Sequence, residues 1–344
     1  MQSLWMLVAA FVFSIMGVCV KLASEHASTS EIVIARGVVG VTTLLLLTQL
    51  RGLPLATRFP WQHAWRGFVG VSALWLWFFA TARLPLATAM TLNYMAPIWI
   101  AAIVFTLGWW HKIRRFEWGL AAAIVTSFIG VALLLKPTIH ADQWVGGLTA
   151  LISGFISALA YIQVKRLGQM GEPEYRVVFY FSASGVLGGL VSGLLDNWWQ
   201  TGSLHLFADL SARDFLLLLA IGITATIAQI AMTRAYRLGA MLVTANLQYT
   251  GIVFSSMWGI LIWNDALDIF GWLGILIILV SGVAATFYNA RSSNTSSSSG
   301  GSGASGASGA SGSASASASS SNAVRVGAPV KPSTSSSSST SSQQ

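Results

Sequence analysis

Ten long apolar segments, separated by short polar stretches, constrain the fold of this 344-residue chain more than any other feature. A helix crosses a bilayer with about 20 mostly apolar residues and satisfies its own backbone hydrogen bonds within the hydrocarbon. The segments therefore predict an all-α integral membrane protein with ten transmembrane helices. They lie at about 4–23, 32–50, 64–82, 86–108, 117–135, 145–165, 177–195, 214–234, 240–263 and 269–288.

The charge distribution agrees with a membrane protein and argues against nucleic-acid binding. Only 9% of the residues are charged, whereas a soluble domain has about a quarter. The formal net charge is +8, but the basic residues occur in short clusters between apolar runs and not along one stripe. We therefore predict the lipid bilayer as a partner and no nucleic acid.

The lysines and arginines predict the orientation, because basic residues collect in cytoplasmic loops. With the N-terminus inside, the outer loops hold only Lys21, Arg83, Lys136 and Arg213. The cytoplasmic loops then hold Arg51, Arg58, Arg66, Lys112, Arg114, Arg115, Lys165, Arg166, Arg176, Arg234, Arg237 and Arg291. We predict a multi-pass protein of the bacterial inner membrane with both termini in the cytoplasm.

The sequence changes character at Ser292, where repeats of Ser, Gly and Ala begin. Such a segment has too little apolar surface to offset the entropy lost on ordering. Residues 292–344 therefore predict a disordered tail, for which a dispensable extension is favoured over a docking role.

An internal repeat divides the membrane part into two halves of five helices each. A shift of 154 residues places Arg83 on Arg237 and Trp118 on Trp272. The first repeat covers residues 1–137 and the second covers residues 138–291. Because five is an odd number, the second copy enters the membrane upside down. Inverted repeats are typical of secondary transporters, which bind solutes near the bilayer midplane between the two repeats.

Three stretches carry a resemblance to a known family: ARLPLATAM and AYRLGAMLV between the third and fourth helices of each repeat, and WLGILIILVSGVAA in the closing helix. With two five-helix repeats, they resemble the EamA-type transporters of the drug/metabolite transporter superfamily. The resemblance implies two EamA-like repeats and a transporter, not an enzyme; that superfamily moves amino acids, metabolites, sugars and drugs. The family usually has a Glu before the fifth helix of each repeat, where this chain has His111 and Asp265, so we assign no role to that acid.

Polar residues in the fourth and ninth segments mark candidate solute contacts. The stretch ATAMTLNYMAPIW contains Asn93 and Tyr94, and its repeat partner MLVTANLQYTGIV contains Asn246 and Gln248. Polar groups are expensive in hydrocarbon, so they face a cavity or a neighbouring helix. We predict that these four residues line two sides of one central site; helix-to-helix hydrogen bonding is the alternative.

The same two segments predict interrupted helices. Pro97 removes a backbone hydrogen bond and kinks its helix, and Gly251 occupies the matching position. Trp75 in the third helix falls on Gln229 in the eighth, and we predict that both contact the solute. Packing against lipid or other helices is the alternative for Trp75.

Two basic residues near the outer face suggest an anionic group on the solute. Lys21 ends the first helix and Arg36 lies near the start of the second. Together they are able to attract a carboxylate. Local pairing with Glu31, or snorkelling to the surface, is the alternative for Arg36.

The function predicted from these residues is secondary transport of small metabolites, amino acids or drug-like solutes by alternating access. Every Asp and Glu falls in a loop or at the edge of a segment, and no GxxxxGK[ST] phosphate loop occurs. No histidines or cysteines have metal-ligand spacing, so we predict neither a metal nor a cofactor. A passive channel or membrane scaffold, and less favourably a membrane-embedded enzyme, remain as alternatives, and a homodimer stays open.

Overall fold

The computed structural model describes residues 2–81, 83–84, 86–110, 118–136, 144–200, 211–264 and 267–300. In these ranges the chain forms one 3-10 turn, Gln2–Leu4, and twelve α-helices, with no strand. The helices are α1 Trp5–Ala23, α2 Thr29–Leu50, α3 Pro60–Thr81, α4 Leu86–Asn93, α5 Ala96–Trp110, α6 Trp118–Leu135, α7 Trp144–Gln169, α8 Glu174–Gln200, α9 Ala212–Leu238, α10 Met241–Leu247, α11 Thr250–Trp263 and α12 Ile269–Gly300.

Each predicted segment is helical, and eight helical stretches of the described chain are long and apolar enough to cross a membrane. The all-helical membrane fold is thus confirmed. The other two predicted segments depart from a plain apolar span: α3 carries His63 and Arg66, and the ninth segment is divided into α10 and α11.

The outer surface of the helices is apolar, as lipid contact requires. On α8, Leu187, Val191 and Leu195 follow one another at four-residue spacing and are all exposed. On α12, Leu276 and Val280 are exposed at the same spacing. A continuous apolar surface of this kind is unfavourable in water and favourable in a bilayer.

Helices from the first half of the sequence pack mainly against helices from the second half. The most extensive contacts join α1 to α9, α3 to α7, and α2 to α8 and α9. Two capping boxes fix the starts of α2 and α9, in which Ser28 pairs with Glu31 and Ser211 pairs with Asp214. This packing encloses a cavity near the centre of the helices.

Residues Met1–Ser297 form one compact unit, and a second unit begins at Ser298. α12 continues to Gly300, beyond Ser292, where the sequence predicts that the tail begins. The remainder of the predicted tail, residues 301–344, lies outside the described residues.

Candidate functional site

Helices from both halves of the chain enclose a cavity of about 340 Å³. Sites for small-molecule ligands have volumes of roughly 300–1,000 Å³ and combine apolar walls with a few polar groups. Five aromatic side chains contribute to the walls: Phe13, Trp77, Tyr94, Tyr161 and Phe181. No Asp or Glu of the described chain lines them. The main polar side chains at the cavity are Arg36, Arg66, Asn93, Tyr161, Gln229 and Gln248.

The first helix interruption lies beside the cavity, between α4 and α5. Pro97 lies in the first turn of α5, where a missing N–H is tolerated. A continuous helix would need a hydrogen bond from residue 97 to the carbonyl of Asn93, which proline cannot donate. Gly154 of α7 packs against that carbonyl, because a Cβ added to Gly154 would lie 3.0 Å from the Asn93 oxygen. The Asn93 side chain donates to Ser153 Oγ at 2.8 Å. The interruption is thus held against α7.

The second interruption lies between α10 and α11 and needs no proline. The N–H groups of Gln248, Tyr249 and Gly251 donate to carbonyls three residues earlier instead of four, at 3.2, 3.2 and 3.1 Å. This leaves the carbonyl of Leu247 to accept from Thr250 Oγ1 at 2.7 Å. A Cβ added to Gly251 would meet no atom closer than 3.7 Å, so this break does not depend on a close approach at the glycine.

Two stacked tyrosines hold Gln248 at the second interruption. Tyr236 donates from its hydroxyl to Gln248 Oε1 at 3.0 Å, and Gln248 Nε2 donates to the Tyr161 hydroxyl at 3.2 Å. The two rings stack with centroids 5.2 Å apart. The amide is therefore fixed at both ends before any solute enters.

Arg66 is the most deeply buried cation at the cavity. Its side chain lies over the Phe181 ring, with the guanidinium carbon 4.1 Å from the ring centroid, and the residue is only 3% exposed. Nε and Nη1 have no hydrogen-bond partner among the residues that the structure describes. A Cβ at Gly70, one turn along α3, would lie 2.1 Å from Arg66 Nη1, so the glycine makes room for the guanidinium.

Arg36 lies against the same aromatic ring from α2. Its guanidinium carbon is 5.7 Å from the Phe181 centroid, and Nη2 donates to Gln229 Oε1 at 3.3 Å. The cavity therefore carries two guanidinium groups around one phenyl ring, one of them already bonded to a neutral amide.

Five of the predicted solute contacts meet at this cavity: Asn93, Tyr94, Gln229, Gln248 and Arg36 all line it. The sequence repeat thus selects residues that the fold brings together from α2, α4, α9 and the two interruptions. Their role in binding remains a prediction.

Asn246 and Trp75 lie away from the cavity. Asn246 is 1% exposed and donates to the carbonyl of Ser281 on α12 at 3.3 Å. Trp75 is 40% exposed on the outer surface, whereas Trp77 lines the cavity. Positions two residues apart on a helix point about 200° apart, so when Trp77 faces the cavity, Trp75 faces away from it. Asn246 faces α12 instead of the cavity.

Lys21 lies at the end of α1 and also away from the cavity. Its ammonium group sits 3.7 Å from the centroid of the Trp263 ring. A cation at a helix C-terminus is favourable by itself, and the aromatic ring adds a cation–π contact. The position is explained without a solute.

Sequence reasoning missed Arg66, Tyr161 and Phe181. The assignment of Arg66 to a cytoplasmic loop is wrong, since Arg66 lies within α3 and is buried. The missed signal was its position inside a predicted span, where an ionisable residue marks a functional site. Tyr161 and Phe181 gave no signal because aromatic residues occur throughout these apolar helices.

A second buried cluster joins the α2–α3 loop to the α7–α8 turn, and we call it the Glu172 cluster (Thr57, His63, Glu172 and Arg176). Glu172 accepts from Thr57 Oγ1 at 2.8 Å and from Arg176 Nη1 at 2.9 Å. His63 Nε2 lies 3.3 Å from Glu172 Oε2, without hydrogen-bond geometry, and Arg176 Nη2 also donates to the carbonyl of Pro54 at 2.8 Å. Burial raises the pKa of the Glu172 carboxyl, but the hydrogen bonds outweigh it and hold that pKa below 4.5.

Charge pairs at the opposite end of the helices are more exposed. Lys136 pairs with Asp268, and both side chains are about half exposed. The lysine lowers the pKa of the Asp268 carboxyl. His26 Nδ1 lies 3.5 Å from Asp214 Oδ1, with the histidine 57% exposed. Asp214 itself is buried, with 5% of its side chain exposed.

The described ranges contain no group of three His, Cys, Asp or Glu residues able to hold a metal ion. His111 and Asp265, the residues at the family's usual Glu positions, lie outside the described residues.

Known proteins with similar sequences are transporters. The profile of the EamA-like transporter family matches residues 1–136. The pseudopaline exporter of Pseudomonas aeruginosa is 30% identical over 279 residues, which cover 80% of this chain and 92% of the exporter. An uncharacterized transporter of Helicobacter pylori is 28% identical over 280 residues, 80% of this chain and 91% of that protein. The riboflavin transporter of Vibrio cholerae is 24% identical over 298 residues, 85% of this chain and 94% of that protein.

A solved crystal structure shares the fold. It superposes with a TM-score of 0.70 at 18% sequence identity, covering 83% of this chain and 98% of that one. These similarities confirm the family predicted from the sequence, and with it a membrane transporter that is not an enzyme. The chain belongs to the EamA-like transporter family.

Proposed function

We propose that this protein is a secondary transporter that moves a small organic solute across the cytoplasmic membrane by alternating access between two inverted five-helix repeats, residues 1–137 and 138–291. One observation carries the proposal: two helix interruptions, at Tyr94 and at Gln248, border the same cavity. These two residues are paired by the 154-residue repeat. Interrupted helices in corresponding positions of two repeats are typical of solute sites in secondary transporters.

The relatives support an organic solute. One is named for the export of pseudopaline and another for the transport of riboflavin. The mixture of aromatic walls and fixed amides in the cavity suits small metabolites, amino acids or drug-like solutes.

The Glu172 cluster acts in this proposal as the cytoplasmic gate. Thr57 of the first half donates to the buried Glu172 of the second, and Arg176 donates to Pro54 of the first half, while Lys136 and Asp268 at the other end are about half exposed. The structure then corresponds to a state closed towards the cytoplasm, and the solute leaves or enters on that side only after the cluster opens.

Counterflow in proteoliposomes tests the transport function. Vesicles with and without the protein are preloaded with each member of an unlabelled panel of amino acids, carboxylates and riboflavin, and uptake of the labelled compound is followed. Alternating access predicts saturable uptake that preloading accelerates. Linear flux that preloading leaves unchanged would indicate a channel, and a chemically altered product would indicate an enzyme.

Reversible crosslinking tests the gate. Cys19 is the only cysteine of the chain, so a Cys19→Ala protein gives a clean background. Cysteines at Leu55 and Tyr180, which lie at the contact between the α2–α3 loop and α8, are joined with a short reducible crosslinker. Counterflow should stop on crosslinking and return on reduction; unchanged counterflow in the crosslinked protein rules out this gate.

A further inference from the structure

The guanidinium of Arg66 is a buried charge with no ion-pair partner among the residues that the structure describes. The residue is 3% exposed, and two of its three nitrogens lack a hydrogen-bond partner in the described part of the chain. Burial of an ion is unfavourable unless an opposite charge and hydrogen bonds compensate for it. No residue of the described chain supplies that opposite charge, and an anion in the cavity would supply it.

The surroundings hold the guanidinium at the cavity wall. Gly70 lacks the side chain that would displace Nη1, and the Phe181 ring supports the guanidinium at 4.1 Å. Both Gly70 and Phe181 line the cavity. The position of the guanidinium is thus fixed by residues of two neighbouring helices, α3 and α8.

A second cation and neutral hydrogen-bonding groups complete the site. Arg36 approaches the same Phe181 ring and donates to the neutral amide of Gln229. The described lining contains no acidic residue. Glu172, the buried carboxylate near this end of α3, already accepts from Thr57 and Arg176.

We infer that Arg66, with Arg36, binds the carboxylate of an anionic solute whose apolar or ring-bearing body extends towards Trp77. Planar guanidinium groups match a carboxylate with two parallel hydrogen bonds. Trp77 lies eleven residues after Arg66, roughly 16 Å along α3, which leaves room for an apolar body in the same cavity. The inference names the substrate class for the transport function proposed above and rests on it.

Ligand-induced thermal stabilisation of the purified full-length protein tests this site. The probes are 3-phenylpropionate, its neutral amide, 3-phenylpropylamine, succinate and inorganic phosphate. They are compared on wild type, Arg66→Gln, Arg66→Lys and, as a matched control, Arg51→Gln, which removes an exposed arginine. We expect stabilisation by the carboxylates and none by the amide or amine.

Arg66→Gln should weaken carboxylate binding roughly 10- to 100-fold, because it removes charge-assisted hydrogen bonds. Arg66→Lys should retain part of the binding, and Arg51→Gln should match wild type. Equal stabilisation by carboxylate and amide, full stabilisation of Arg66→Gln, protection by phosphate alone, or no protection by any carboxylate would each overturn the assignment.

Counterflow measured on the same samples separates this inference from the proposed function. Carboxylate binding that depends on Arg66 without counterflow of the same compound would overturn transport and keep the anion site. Counterflow of a neutral solute that is equally fast in Arg66→Gln and is not inhibited by carboxylates would overturn the anion site and keep the transport function.

Discussion

Two arginines of this protein, the buried Arg66 and the partly buried Arg176, have opposite surroundings. Arg176 donates from Nη1 to the carboxylate of Glu172 and from Nη2 to the carbonyl of Pro54. Arg66, at the cavity, meets a phenyl ring and a glycine, and no described acid pairs with it. The first arginine joins parts of the chain to one another, and the second is left to bind what enters the cavity.

Replacing Glu172, the acid that pairs with Arg176, should produce the largest change in stability. Glu172→Gln leaves Arg176 buried beside His63 without an opposite charge, and we expect a loss of about 3 kcal/mol in unfolding free energy. Thermal or denaturant unfolding in detergent measures it. Glu25→Gln, at an exposed position, is the matched control and should change little. A Glu172→Gln protein as stable as this control would show that the cluster does not hold the two halves together.

Shifting the unpaired arginine without removing its charge should have a smaller effect. The added methyl group of Gly70→Ala would overlap Arg66 Nη1, so the guanidinium has to move. We expect carboxylate binding to weaken about tenfold, or about 1.4 kcal/mol, and the Phe181 ring, 2.7 Å from the added Cβ, has to shift as well. Gly147→Ala is the control, because no atom lies within 4 Å of its added Cβ. Equal binding by both variants would contradict the placement of Arg66.

Replacing the two asparagines selected from the repeat should have different effects on solute binding. Asn93→Ala and Asn246→Ala each remove a helix-to-helix hydrogen bond, and we expect about 1 kcal/mol or less of lost stability from each. Only Asn93 lines the cavity, so only Asn93→Ala should also reduce stabilisation by a bound solute. A solute that protects wild type and both variants equally would show that the cavity is not the site.

The contribution of the Glu172 cluster should depend on pH. The pKa of Glu172 lies below its ordinary value in the folded protein. A lowered acid pKa stabilises the folded state above the unfolded-state pKa and loses this contribution as pH falls through the folded value. The stability difference between wild type and Glu172→Gln should thus shrink as pH falls below about 4.5. The comparison is made in this range because His63, 3.3 Å from Glu172, also gains a proton between neutral pH and pH 4.5. A difference that grows below pH 4.5 would contradict the pairing.

The sequence predicts where helices begin, end and break better than which way their side chains face. Pro97 lacks the N–H that a continuous helix needs, and the repeat extends that break to Gln248, so both interruptions follow from local chemistry. The directions in which the Asn246 and Trp75 side chains point do not follow from local chemistry. These helices are apolar around most of their circumference, and no polar stripe fixes their rotation.

Arg66 shows a different limit of sequence reasoning. A basic residue near the end of a span satisfies the rule for cytoplasmic loops and the rule for intramembrane functional charges equally well. Only the packing of Gly70 and Phe181 around it, contributed by α3 and α8, distinguishes the two. Contacts between helices distant in sequence are not visible in one sequence.

The most direct test of the contrast between the two arginines uses no solute. Arg66→Gln and Arg176→Gln are purified in the same detergent, and their melting temperatures are compared with that of wild type. Replacing an uncompensated buried charge should leave the melting temperature unchanged or raise it by about 2 °C, and breaking the Arg176 pair should lower it by about 5 °C or more. Equal destabilisation by both changes would contradict the account, because it would mean that Arg66 is already paired within the protein.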